Sequence, residues 1–97
     1  MANDKVVQLL SRIILELKSA LPDNERQCGW DEDLWSKCRE RLTEIQIGIA
    51  QGTITKDTPS DFNLPRSLDH EGVTSGAMLD LIVQFQSAYD EEFTSHV

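Results

Sequence analysis

"DKVVQLLSRIILELKSAL", residues 4 to 21, sets Val6, Leu9, Leu10, Ile13, Ile14, Leu17 and Leu21 at spacings of three and four. That is the period of a helix with one apolar stripe. Asn3 can cap its amino end and Asp4 complements the helix dipole there, while Pro22 biases Leu21 away from helical geometry. The spacing therefore predicts a first helix over about residues 4–20.

Downstream, "PDNERQCGW" (22–30) combines Pro, Asp, Asn and Gly and reads as a turn with room for one short helical turn. Asp31 then reads as a helix cap. Acids follow it at once, and the bases Lys37, Arg39 and Arg41 come later, as a helix dipole favours. Leu34, Cys38, Leu42, Ile45 and Ile49 form the stripe, and Gly52 suits the left-handed closing position, so a second helix is expected over about 31–51. Residues 53–73 are less regular. Ile54, Phe62, Leu64 and Leu68 should pin them to the bundle, with a helical turn near Arg66 to His70. A last helix should begin after Thr74 or Ser75 and run to about Phe93, with Met78, Ile82, Phe85, Tyr89 and Phe93 on one face. Asp90, Glu91 and Glu92 would oppose its dipole. The fold class predicted is all-α: a small bundle of three main helices (about 4–20, 31–51, 75–93), one domain over 1–97, with a long, partly ordered connection between the last two.

Composition narrows the function. A chain of 97 residues makes about one small domain. Nine Lys and Arg against 17 Asp and Glu leave a formal charge of −8, which disfavours direct nucleic-acid binding and favours a cationic protein partner. Apolar runs such as Ile13-Ile14-Leu15 are too short to cross a bilayer, and the first residues lack the pattern of a secretion signal, so no membrane partner and a cytoplasmic location with reduced thiols are expected.

Chemistry-bearing patterns are few. Cys28 and Cys38 lack the further Cys or His ligands that zinc needs at short spacing, since His70 and His96 stand apart; no metal and no cofactor are predicted. Cys38 lies on the apolar stripe between Leu34 and Leu42 and reads as a small core residue. With no glycine-rich phosphate loop or nucleophile elbow, an enzyme is not expected. In "LDHEG" (68–72), Asp69 and Glu71 flank His70, which reads as a polar helix end, with a proton switch as the sharper alternative.

The acids are uneven. Residues 23–33 hold Asp23, Glu25, Asp31, Glu32 and Asp33 against a single base, and residues 57–97 hold eight acids with only Arg66. Trp35 should point about 100° away from Leu34, partly off the core stripe, and an aromatic beside carboxylates at a rim suits a binding hot spot. Trp30, just before the cap, should pack as a staple against Leu34. The candidate partner-binding set is thus Trp30, Asp31, Glu32, Asp33 and Trp35, joined by Asp69, His70 and Glu71.

"ELKSALPDNE" (16–25) and "LDHEGVTSGAMLDLIVQFQSAYDEE" (68–92) resemble stretches of Maf-type bacterial immunity proteins. The resemblance implies a cognate toxin and inhibition by direct binding. The leading expectation is accordingly a small acidic immunity protein that covers the basic site of a toxin such as a nuclease. Two others stand beside it: a structural or adaptor module that self-associates, as a homodimer, through the apolar surface of Val7, Leu9, Ile14 and Leu15, and an acidic nucleic-acid-mimic inhibitor.

Overall fold

The computed structural model describes residues 4–55, 57 and 62–93. Among these the regular elements are α1 (Asp4–Leu17), α2 (Asp23–Arg26), α3 (Glu32–Gln51), α4 (Leu64–His70) and α5 (Ala77–Phe93), with no strand. No described helix is long and apolar enough to cross a membrane. The all-α bundle read from the periodicity is the observed architecture, its three long helices joined by two short ones. Asn3, the expected cap of α1, lies outside the described residues.

The amphipathic stripe of α1 puts this helix in the middle. It packs against α3 on one side and α5 on the other, while α4 lies on α5. Val6, Leu10, Ile13, Ile14 and Leu17 are buried as a result. Ile14 and Leu9 therefore belong to the core and its margin, whereas Val7 and Leu15 stay exposed: the apolar surplus is smaller than the sequence suggested, because two neighbours share it.

α1 ends at Leu17, three residues before the expected stop. The last turn tightens, with Ser19 N–H donating to Glu16 O at 3.1 Å. The open carbonyls of Leu17 and Ser19 accept from Arg39 Nη1 (3.3 Å) and Trp35 Nε1 (3.0 Å), both on α3. Termination thus comes from side chains of a neighbouring helix. Pro22 instead opens α2, its carbonyl accepting from Glu25 and Arg26 N–H.

The ends of α3 fall where the sequence put them. Asp31 Oδ1 accepts from Leu34 N–H at 2.7 Å, and Gly52 closes the helix at φ 77°. α4 is longer than the turn expected at Arg66 to His70, because Asn63 caps it (Oδ1 to Arg66 N–H, 3.1 Å) and Pro65 fits its first turn. α5 begins at Ala77 rather than 75, since Gly76 at φ 117° holds a conformation outside the helical region.

Two turns interlock at one end of the bundle. Gly29, at φ 112°, lies so close to the next turn that a Cβ there would fall 2.4 Å from the Gly72 carbonyl oxygen. Gly52 has the same kind of backbone but nothing within 4 Å of its Cβ position. Gly52→Ala should therefore cost about 1 kcal/mol, the conformational strain alone, whereas Gly29→Ala must also move backbone and should cost about 2 kcal/mol or more in urea denaturation.

Candidate functional site

The start of α3 carries most of the residues singled out in the sequence. Asp31 spends its carboxylate on the cap, and the residue before it packs on the first turn. Trp30 meets Trp35 edge to face, with ring centroids 5.0 Å apart and planes at 86°. This is the hydrophobic staple, formed with Trp35 and not with Leu34, because the fourth residue of the first turn is the one that returns beneath the preceding position. Both rings are inside, Trp30 at 1% and Trp35 at 4% exposure. The rim position expected for Trp35 is corrected: the end of α1 covers that side of α3, and the indole N–H is committed to Ser19 O. Neither tryptophan is available to touch a partner, so both leave the contact surface and join the core.

The acids of this segment remain outside. Glu32 pairs with Arg26 at 2.7 Å and Asp33 with Lys37 at 3.0 Å, both as exposed pairs that add little to stability. Lys37 is held above its ordinary value first by the Asp33 hydrogen bond and then by the Asp33 charge, with smaller contributions from Glu71 and Asp31. Asp69, His70 and Glu71 are exposed at the end of α4, and Glu71 lines the same cleft as Lys37 of α3. His70 stands in the last turn of α4, the polar helix end read from the sequence.

Between α3 and α4 lies a cleft of about 440 Å³. Buried Cys38, Leu64 and Leu68 form its floor, half-buried Leu34 and Phe62 its sides, and Lys37 and Glu71 part of its edge. The Arg41 guanidinium lies 5.7 Å from the Phe62 ring centroid and 3.5 Å from Glu44. Burial pushes the Cys38 thiol up to about 12, so it is neutral and a poor nucleophile near neutral pH. Cys28 is half-buried and also free.

Two further residues matter that the sequence reading passed over. Glu25, counted there among the surface acids, is 4% exposed; its Oε2 accepts from Met78 N–H at 3.0 Å, in the first turn of α5. The partner is 53 residues away, so no local pattern announces it. Gln86 is also buried: Oε1 accepts from Leu64 N–H (3.0 Å), and Nε2 donates to Phe62 O (3.1 Å) and Asp90 Oδ1 (3.0 Å). It fastens the entry of α4 onto α5. Here a signal existed, since Gln86 interrupts the stripe four residues after Ile82 and three before Tyr89.

No protein-family model, curated protein or solved structure matches this chain. Its function is therefore argued from its own geometry.

Two measurements check the site. With a thiol-alkylating reagent near neutral pH, intact mass should show Cys28 modified while Cys38 is spared until denaturant is added. In an NMR titration Lys37 should lose its proton above the ordinary lysine value of 10.5, and Asp33→Asn should return it most of the way. By linkage, a raised lysine contributes stability below the unfolded value and loses it as pH climbs through the folded one, so this pair should be indifferent to pH near neutrality.

Proposed function

We propose that this chain is a small acidic binding protein whose partner is a cationic protein, engaged across the start of α3 and the end of α4. The observation that carries the reading is that Lys37, paired with Asp33 at 3.0 Å on α3, and Glu71, just past α4, line one apolar cleft. Residues from two separate stretches of sequence meet on one face, beside half-buried Leu34 and Phe62. Such a face supplies both parts of a specific contact: acids that speed encounter with a basic surface, and an apolar centre that gains by losing water. The net charge of −8 extends the same attraction over the whole molecule.

The resemblance to Maf-type immunity proteins suggests which cationic partner. A toxin that cuts nucleic acid carries a basic site because its substrate is polyanionic, and an acidic face laid over that site blocks it without chemistry. The inhibitor needs no catalytic group for this, which suits a chain whose Cys38 is neutral and buried.

The test is co-purification and titration with the product of the neighbouring gene. Asp31→Asn, Asp33→Asn and Glu71→Gln together remove the charge and keep the α3 cap, since asparagine caps as well as aspartate. The triple variant should keep the wild-type circular dichroism and bind at least about tenfold more weakly, and wild-type affinity should fall as salt rises from about 0.05 to 0.5 M. No association, or association indifferent to both changes, overturns the reading.

A further inference from the structure

We infer that the cleft between α3 and α4 recognises an amphipathic cation, which the basic partner proposed above supplies as an apolar side chain with an arginine or lysine beside it. The inference rests on that reading for the partner, and on the cleft itself for the chemistry. Leu64 and Leu68 are buried at its floor, and Leu34 and Phe62 stand half-buried at its sides. At about 440 Å³ it lies within the size range of clefts that take a small organic group. The neutral Cys38 thiol adds no charge to the floor.

The polar groups that line the cleft decide which sign of charge fits it. Lys37 is paired with Asp33 at 3.0 Å and Arg41 with Glu44 at 3.5 Å, both along α3, so the two cations are already neutralised. Asn63 Oδ1 accepts from Arg66 N–H, and Ser67 Oγ donates to Asn63 O. Among the described residues this leaves the exposed Glu71 carboxylate as the polar side chain of the cleft with neither an ion pair nor a hydrogen bond. One unpaired negative charge beside an apolar hollow suits a group that is apolar at one end and positive at the other. An anionic group would have to draw Lys37 or Arg41 from its present partner, and would meet Glu71 as a like charge. The net charge of −8 acts in the same direction at longer range.

Hexylamine carries this chemistry on one small molecule, and hexanol and hexanoate keep its apolar body with a neutral and a negative end. Titrated into the protein near neutral pH and followed by amide NMR, hexylamine should shift the signals of Leu34, Leu68 and Glu71. It should bind at least about threefold more tightly than hexanol, with hexanoate weakest. Glu71→Gln should remove the advantage of the amine and leave hexanol unchanged, and added salt should weaken the amine alone. Ser67→Trp, which sets an indole into the cleft from the exposed side of α4, should block all three. With circular dichroism unchanged, it should also weaken association with the neighbouring gene's product at least about tenfold. Hexanoate binding as tightly as hexylamine, an amine preference that survives Glu71→Gln, or the absence of shifts at the cleft overturns the inference. A complex that is lost with the α3 acids yet indifferent to Ser67→Trp also overturns it, and leaves the proposed function standing. A gene product that does not associate overturns the proposed function alone, and the hexylamine series still decides the cleft.

Discussion

The carbonyl groups left open at the end of α1 are answered from α3, by the Trp35 indole at Ser19 and the Arg39 guanidinium at Leu17. A helix end packed against protein must find such donors, because an unmet buried carbonyl costs about as much as a lost hydrogen bond. With this contact in place, α1 and α3 share one antiparallel register, in which the α1 start lies near the α3 end and Ser11 reaches Gln46. Trp35 is also held over Trp30, which seats the cap at Asp31. The turn leading into α3, the start of α3 and the end of α1 are therefore one cooperative unit.

A second fastening works at longer range. Glu25 reaches from α2 to the first turn of α5, where a carboxylate meets both an unpaired N–H and the positive end of the helix dipole. Gly29 and Gly76 make the approach possible, since a side chain at either would collide with the facing turn. Gln86 does the equivalent work for α4. The short helices are thus held by buried polar side chains that hydrogen-bond across elements, Glu25 through one carboxylate oxygen and Gln86 through both ends of its amide.

These fastenings have consequences for the surface. Because the tryptophans are drawn into the core, the apolar surface near the α3 start is that of the cleft lined by Leu34, Phe62, Leu64 and Leu68, and α4 is what brings Glu71 to the same cleft as Lys37. Because α1 is shared between α3 and α5, most of its apolar stripe is buried and the large apolar side chains it leaves exposed are Val7 and Leu15.

Much of the fold was legible along the chain, because helix period, caps and closing glycines are local properties. The stripes of α1, α3 and α5, the Asp31 cap and the Gly52 stop each depend on residues within a turn or two. Of the candidate site, the acids at 31–33 and 69–71 are exposed as the charge pattern suggested, but that Glu71 shares a cleft with Lys37 was not legible, since α4 had first to be placed. Trp35 was misjudged because a helical wheel shows where a side chain leaves its own axis and not which neighbour covers it. Glu25 was misjudged because a carboxylate looks like surface until its distant N–H partner is known. The sequence by itself determined which segments are helical and how charge is apportioned among them; the tertiary structure alone decided which polar and aromatic groups are buried, because burial depends on contacts between segments that no local spacing encodes.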